Sequence, residues 1–435
     1  MRAGGRADRR PGDPKWGRFG RVTEQRDSRR PWVLLFVAVA IVAANMRMTI
    51  TGVGPLLEQI ADDQGVSPAA LGLLGSLPLL AWAAFCPLAH GLSTRIGLTN
   101  AVTVSLLVLT VGTVWRSFPG GPANLWVGTA IIGAGLAFAN VLMPAVIKRD
   151  FPQRLALVMG AYTALLGGMA AVIAGISVPL SQIPFGDDVI GWRGALLLSG
   201  ATLSIGIAVW IWAQRKRRGS EDPAQPDAAD PPTAVKPARS DAGRRIWRDP
   251  LAWLVSIYMG AQSVTFYVIS TWLPHYETAL GQSPVIAGIE LMIYQIFGVA
   301  GSMLVPLFAR GRLTRWLPAL LPAIGLVAWL GMALLPGAML LWIVIGGVAA
   351  GALLTVSLML MAQRARTQDH AAALSGMAQS LAYLIAATGP IAFGWLHEVT
   401  GGWLLPFAVV WVAAVVVIVV GVPLGRPRYV LEPRG

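Results

Sequence analysis

The stretches GVSPAALG at residues 65–72 and GQSPVIAG at residues 281–288 share the pattern G-x-S-P-x-x-x-G and lie 216 residues apart. Two further pairs of glycines match at the same offset, Gly135 with Gly351 and Gly160 with Gly376. Serine before proline predicts a helix start, with the serine as N-cap and the proline at the first helical position. The chain is therefore expected to contain an internal repeat.

The composition around this repeat is that of a membrane protein. Hydrophobic residues make up 55% of the 435 residues, and charged residues make up 13%. That charged share is about half of the share found in soluble domains, and the mean hydropathy is +0.63. These values exclude a soluble enzyme and a disordered protein. They predict a polytopic membrane protein with no enzymatic activity.

The length of each apolar run predicts how often the chain crosses the membrane. A helix needs about 20 apolar residues to cross a bilayer core of about 30 Å. Twelve such spans are predicted, at residues 32–54, 69–90, 98–115, 124–147, 156–180, 193–213, 250–273, 285–308, 315–335, 338–362, 371–395 and 403–423. A repeat of six spans leaves both copies in the same orientation. We therefore expect an all-α polytopic membrane protein whose twelve transmembrane helices form two parallel-repeat six-helix bundles.

Polar segments divide the chain further. The run Arg215–Arg218 opens a stretch rich in Pro, Ala and Asp that cannot bury a core. The predicted units are a disordered cytoplasmic tail at 1–30, an N-terminal six-helix bundle at 31–213, a cytoplasmic linker at 214–249, a C-terminal six-helix bundle at 250–424 and a cytoplasmic tail at 425–435.

The charges are sorted by side. All but three of the 34 Lys and Arg residues fall in seven places: 1–30, Arg95, 148–154, 214–249, 310–315, 364–366 and the C-terminal tail. The opposite loops are predicted to hold Glu58, Asp62, Asp63, Asp187, Asp188, Glu277 and Glu398, with Arg116 and Arg193 as their basic residues. The positive-inside rule then places both termini in the cytoplasm. Membrane topology explains the net charge of +13, so no nucleic-acid partner is expected.

The sequence carries no signature of a nucleotide or metal site. It contains no G-x-x-x-x-G-K-[ST] motif, which argues against ATP-driven transport by this chain. The four histidines are scattered, and the single cysteine, Cys86, lies in an apolar run. We expect no cofactor and no metal, and we expect a monomer in the lipid bilayer.

Arg47 stands out because it lies inside predicted span 1, past the middle of the bilayer. An arginine there costs roughly 2.5–3.5 kcal/mol on insertion scales, so it normally faces a cavity or a partner. Its guanidinium is a planar fork suited to small oxyanions or carboxylates. We interpret it as the anion-recognition residue. The alternatives are a structural tie to a neighbouring helix and snorkelling to the outer surface.

Glu290 is the acidic residue that the predicted boundaries place within a span, at a depth similar to that of Arg47. Three roles are open to it: pairing with Arg47, carrying a coupling proton, or lying among the outer headgroups. Burial disfavours the charged form of a carboxyl group, so Glu290 is the coupling candidate, with the proton as candidate coupling ion.

Other polar side chains on the spans are candidates for substrate binding: Asn45, Asn140, Tyr162, Gln262, Tyr267, Gln379 and Tyr383. Gln379 and Tyr383 stand four residues apart, which places them on one face of a helix. Amides and phenols can orient a small polar solute. They can equally form hydrogen bonds between helices.

The loop after span 2 carries a short motif. Residues 91–97 read GLSTRIG and resemble the major facilitator signature G-x-x-x-D-R-x-G-R-R. Gly91, Arg95 and Gly97 match the signature, and Thr94 stands in place of its acid. The resemblance implies a gating or structural role for this loop at the cytoplasmic ends of the two bundles.

A longer motif lies in span 1. Residues 45–57 read NMRMTITGVGPLL, which resembles the first-span motif of the cyanate permease/nitroimidazole transporter branch of the major facilitators. Members of that branch read N-x-R followed by Pro and then T-x-V-G-P-L-L, and Met48 stands in place of that Pro. Residues 144–151, 192–193 and 376–379 also resemble this branch. The resemblance extends from about residue 32 to 420.

The resemblance implies a function. It implies a secondary active transporter that moves a small polar or anionic solute, such as cyanate, across the inner (cytoplasmic) membrane by alternating access. One alternative on the same fold is an exporter of nitroimidazole-like or other small drugs. Another is a non-transporting membrane sensor.

Overall fold

The computed structural model describes residues 30–220, 244–309 and 311–432. Fourteen α-helices lie within these ranges: α1 Arg30–Thr51, α2 Leu57–Gln64, α3 Pro68–Phe85, α4 Ala89–Ile96, α5 Leu98–Ser117, α6 Pro122–Asp150, α7 Leu155–Ser181, α8 Gly191–Ser220, α9 Pro250–Ala279, α10 Pro284–Phe308, α11 Leu317–Leu334, α12 Met339–Gln363, α13 Gln368–Thr400 and α14 Leu404–Leu424. A short antiparallel hairpin, Pro184–Phe185 with Asp188–Val189, joins α7 to α8.

Twelve helical segments of the described ranges are long and apolar enough to cross a membrane, which confirms the predicted number. Helices α1–α8 form the first bundle, and α9–α14 form the second. Most of the predicted tail at 1–30 and the centre of the predicted linker lie outside the described residues. Helix α8 continues to Ser220, past the predicted start of the linker at residue 214, because no Gly or Pro interrupts residues 207–218.

The two copies of the repeated motif form the same local structure. Ser67 and Ser283 are the N-caps of α3 and α10, and each side chain accepts a hydrogen bond from the backbone amide three residues on, at 3.4 and 3.3 Å. A proline follows each as the first helical residue. Gly65 and Gly281 have φ angles of +61° and +94°, which residues with a Cβ rarely adopt. The sequence signal therefore marks two equivalent turns.

The last residue of each motif lies where the two bundles meet. A Cβ built on Gly72 of α3 would lie 2.2 Å from the carbonyl oxygen of Pro390 on α13. One built on Gly288 of α10 would lie 2.8 Å from the carbonyl oxygen of Ala174 on α7. Glycine thus lets helices of opposite bundles approach closely. We call this face of the molecule, with the 64–68 and 279–284 turns, the closed side.

The opposite face, called the tail side, carries Arg30, Ser220, Arg244 and Glu432, the ends of the described ranges near the tails and the linker. Here a Cβ built on Gly160 of α7 or on Gly376 of α13 would meet no atom within 4 Å. These two glycines are themselves equivalent in the repeat. Both glycines are exposed, so the close backbone contacts of Gly72 and Gly288 are not repeated at these positions.

Span 1 differs from the prediction. Its helix ends at Thr51, a 3-10 turn follows at Gly54–Leu56, and α2 continues to Gln64. Pro55 has no amide hydrogen to donate, and a Cβ at Gly54 would lie 2.6 Å from the carbonyl oxygen of Ser270. The acids of the predicted loop, Glu58, Asp62 and Asp63, are exposed on α2.

Two residues assigned to outer loops are buried in helices. Arg116 lies in the last turn of α5 and is 1% exposed. Glu277 is 0% exposed, because α9 runs past Pro274 to Ala279 instead of ending at residue 273. The predicted loop positions of these two residues are therefore wrong.

The end of the chain packs on the tail side. Val430 is buried, and its amide donates to the carbonyl oxygen of Arg364 at 2.9 Å. Arg366 contacts the Glu432 carboxylate at 2.5 Å, and its guanidinium lies 4.5 Å from the centre of the Tyr429 ring. The described part of the predicted tail at 425–435 therefore lies against the turn between α12 and α13.

Candidate solute-binding site

Arg47 lies on α1 where the two bundles meet, among four aromatic side chains. Its guanidinium carbon is 5.7 Å from the centre of the Trp82 ring on α3. The phenols of Tyr267 of α9, Tyr162 of α7 and Tyr383 of α13 are the electrostatic neighbours of the guanidinium. Trp82 makes edge-on contacts with Tyr267 and Tyr383, at centroid distances of 6.3 and 5.2 Å. We call these four rings the aromatic cage.

The cage joins the bundles through Trp82, which belongs to the first bundle, while Tyr267 and Tyr383 belong to the second. Edge-on aromatic pairs and a cation over a tryptophan face are both favourable arrangements. Within the described residues, no carboxylate lies within 4.0 Å of Arg47, and its recorded electrostatic partners are the phenols. The structure therefore leaves the positive charge of Arg47 without a countercharge.

A cavity of about 40 Å³ adjoins the cage. Its walls come from α1, α3, α5 and α6 of the first bundle and from α9 and α10 of the second. The polar side chains among its lining residues are Arg47, Thr51, Arg116, Thr129, Tyr267, Ser270, Thr271 and Gln295. This volume has room for roughly three water molecules, which is also the size of a small anion.

Arg116 is a lining residue that the sequence did not identify. Its Nη1 donates to the carbonyl oxygen of Thr49 at 2.9 Å, which ties α5 to the last turns of α1. Its Nε and Nη2 are buried with no partner among the described residues. Arg116 was not predicted as a lining residue because it was assigned to a loop. The apolar residues before it are continuous with span 3, and this continuity could have placed Arg116 in the helix.

Trp82 was also missed. Trp82 lies in the last turn of α3, near the middle of the predicted span 69–90, and is 2% exposed. That central position in a predicted span was the available signal.

Three predicted binding residues make hydrogen bonds within their own bundles. Asn45 donates to the Ile41 carbonyl oxygen at 2.7 Å and accepts from Thr202 of α8. Gln262 donates to the hydroxyl of Ser263 at 2.9 Å. Gln379 donates to the hydroxyl of Ser375 at 2.7 Å. None of these three amides lines the cavity.

The remaining predicted residues lie elsewhere. Asn140 is half-buried on α6, and the hydroxyl of Tyr162 contacts the sulfur of Met46 at 3.6 Å. The loop with Gly91, Arg95 and Gly97 forms the short helix α4 and its end on the tail side, away from the cavity. A Cβ at either glycine would meet no atom within 4 Å.

Glu290 does not meet Arg47. Its carboxyl group is an electrostatic neighbour of the carboxyl group of Glu277, across the junction of α9 and α10. Both Glu277 oxygens and Oε2 of Glu290 are buried without a donor in the described structure. Two groups that can only accept hydrogen bonds when ionised therefore face each other. The sequence did not predict this pair, because Glu277 was assigned to a loop.

Comparison with known proteins gives a consistent set of relatives. The chain is 34% identical to a 2-nitroimidazole transporter of Escherichia coli (strain K12), over 91% of this chain and 96% of that protein. It is 27% identical to the cyanate transport protein CynX of the same organism, over 86% and 92%. A bacterial homologue of the human lysosomal transporter Spinster superposes with a TM-score of 0.68 at 16% identity, over 91% of this chain and 96% of that one.

These similarities agree with the twelve spans and the six-plus-six repeat. They identify a multi-pass transporter, and the bacterial relatives indicate the plasma membrane. The family model described as Major Facilitator Superfamily matches residues 35–387. The chain belongs to the Major Facilitator Superfamily.

Proposed function

We propose that the protein is a secondary active transporter that binds a small polar or anionic solute at Arg47 and moves it across the plasma membrane by alternating access. The observation that carries this proposal is the unpaired guanidinium held between the bundles by aromatic rings from both. A solute bound there would contact both bundles, so its binding would respond to their relative movement. The cyanate and 2-nitroimidazole transporters among the relatives support a solute of this size.

The orientation of the molecule is part of the proposal. The tail side carries Arg95, Lys148, Arg149, Arg364 and Arg366. The closed side carries exposed acids: Glu58, Asp62, Asp63, Asp187, Asp188 and Glu398. The positive-inside rule therefore supports a cytoplasmic tail side with both termini inside.

Uptake into proteoliposomes tests the role of Arg47. The wild-type protein and the R47A and R47K variants are reconstituted in equal amounts and supplied with cyanate, small carboxylates and 2-nitroimidazole. We expect both variants to lose roughly tenfold or more in kcat/KM, because a hydrogen bond to a charged group is worth about 1.5–3 kcal/mol and lysine lacks the fork. Arg193, which pairs with exposed Asp63 at 2.7 Å outside the cavity, supplies the control R193A. Wild-type uptake by R47A would refute the proposal.

The exporter alternative keeps the same site and reverses the direction. The 34% identity to a 2-nitroimidazole transporter and the aromatic cage favour it, because a flat heterocycle can pack against aromatic rings. Strains that lack or overexpress the gene separate the two directions. Export predicts a change in nitroimidazole sensitivity, whereas uptake predicts a change in growth on cyanate as nitrogen source. Binding without flux in proteoliposomes would instead identify a sensor.

We further propose that Glu277 and Glu290 carry the coupling proton. Two neighbouring carboxyl groups cannot readily both ionise, because each disfavours the charge of the other. A single shared proton would give the pair the donor that the described structure does not otherwise supply. The pair lies near the closed side on α9 and α10, so opening of that side would expose it to the outer solution.

A further inference from the structure

The cavity beside Arg47 contains a second guanidinium, that of Arg116. Arg116 is 1% exposed, and its single hydrogen bond in the described structure goes to a backbone carbonyl oxygen. Its Nε and Nη2 lie in the buried region with no acceptor. A buried charge normally has a countercharge or a full set of hydrogen bonds. Arg116 has neither, so its arrangement calls for a further partner.

No carboxylate among the described residues lines this cavity, although two arginines do. The carbonyl oxygen of Thr49 is a dipole and leaves the net charge of the site unchanged. An anion bound in the cavity would supply a countercharge and provide acceptors for the unused N–H groups of Arg116. A neutral solute would provide acceptors and leave both charges uncompensated.

The neutral groups of the cavity fit the same ligand. The Ser270 hydroxyl lines the cavity and has no hydrogen-bond partner among the described residues. Gln295 and Thr271 of the second bundle add further polar groups to the lining. A guanidinium fork matches a planar group with two acceptor atoms. The cavity has room for roughly three water molecules, which limits the charged part of the ligand to a few atoms.

We infer that the solute is a small planar monoanion, a carboxylate or an ion of the size of cyanate, whose charged group is held between Arg47 and Arg116. This inference rests on the proposed function, because it identifies the class of solute bound at the transport site. It separates charged from uncharged candidates: a carboxylate binds, and the amide of the same shape does not. Arg116 then determines specificity for charge, while Arg47 and Tyr267 of the aromatic cage line the same cavity.

Pairs of ligands that differ in charge and hardly in shape test the inference on the full-length protein in detergent. The probes are benzoate with benzamide and acetate with acetamide, together with sodium cyanate, and binding is measured by calorimetry. We expect at least one anion to bind and its amide to bind more than tenfold more weakly. In R116Q the preference should fall to less than threefold, whereas R116K should retain part of it. R193Q is the matched control, since Arg193 lies outside the cavity.

The outcomes are distinct. Equal binding of amides and carboxylates by the wild-type protein would overturn the inference, and so would an unchanged preference for anions in folded R116Q. If R116Q does not fold, the wild-type comparison still decides. Flux of any probe into proteoliposomes is measured separately. Transport of a neutral solute would refute the anion class and leave the transporter proposal intact. Anion binding without flux would refute the transporter proposal and leave the anion class intact.

Discussion

At the residue scale, the chemistry of the site depends on charges that the fold leaves without partners. Arg47 faces phenols, Arg116 faces a carbonyl oxygen, and Glu277 faces Glu290. Each of these groups would be costly in a membrane interior if it served packing alone. Their separation is also informative, because the arginines line the cavity and the carboxyl pair does not.

The carboxyl pair gives a prediction about coupling. The E277Q and E290Q variants keep the shape of the side chains and cannot take up or release a proton. We expect each to lose accumulation driven by an inward proton gradient, while exchange of solute down its own gradient continues. Uptake with and without a pH gradient, measured in the same proteoliposomes, checks this.

E58Q, on the exposed surface of α2, is the matched control for these variants. Gradient-driven accumulation at the wild-type level in an E277Q/E290Q double variant would exclude the pair as proton carrier.

The sequence marked Arg47 and Glu290 as candidate site residues, because a charged residue inside an apolar span can be recognised from the sequence alone. It could not predict Arg116 or Glu277, since both stand at span ends, where charged residues normally reach water. Their burial depends on neighbouring helices that pack over those ends. The sequence also predicted Asn45, Gln262 and Gln379 as solute-binding residues. In the structure their amides hydrogen-bond to groups of their own helices, which the sequence pattern does not reveal.

At the element scale, helix starts and breaks place the site. Serine caps with following prolines begin α3 and α10, and the break at Gly54–Leu56 ends α1 four residues after Arg47. One cap joins the bundles: the carboxylate of Glu398 on α13 accepts a hydrogen bond from the amide of Ala69 in the first turn of α3, at 3.0 Å. An acidic side chain is favourable at a helix N-terminus.

Removing this cap should weaken the closed side. We expect E398A to cost about 0.3–1 kcal/mol of closed-side stability, as for other exposed acidic groups at a helix N-terminus, and to raise the fraction of molecules open on that side. Spin labels at exposed Asp187 and Leu280, one in each bundle, would report this as a longer distance by electron resonance in a background without Cys86. E58A, on the same face, should leave the distance unchanged, and an unchanged distance in E398A would contradict the role of the cap.

At the scale of the whole molecule, the sequence repeat predicted the architecture correctly because hydrophobic length and the sorting of charges are properties of the chain alone. It did not reveal which face is closed. That depends on contacts between helices far apart in sequence, such as α3 with α13 and α7 with α10. Repeated glycines lie on both faces. In the structure, Gly72 and Gly288 contact helices of the opposite bundle, whereas Gly160 and Gly376 do not.

The two faces predict opposite phenotypes. In G72A the new methyl group would meet the carbonyl oxygen of Pro390 at 2.2 Å. Overpacking of this kind costs about 1–3 kcal/mol, so we expect the bundles to separate on the closed side. In G376W the side chain has space here, but it would obstruct closure of the tail side. We expect both variants to lose uptake, with a longer distance between the labels in G72A and a wild-type distance in G376W.

G337A, in a turn where a Cβ meets no atom within 4 Å, should behave as wild type. Identical label distances in G72A and G376W would contradict this assignment of the two faces.

The way the closed side is joined affects how readily the molecule changes shape. Outside the aromatic cage, the side-chain hydrogen bonds between the bundles in the described residues are those of Glu398 with Ala69 and of Gln295 with Ala170, and no ion pair crosses there. Close helix packing at glycines, among them Gly54, Gly72 and Gly288, supplies further contacts. Few directional bonds must break when the bundles separate on the closed side. The conformation closed on that side and the conformation open on that side can therefore be close in free energy. A ligand that prefers one shape by about tenfold would then change their ratio by the same factor.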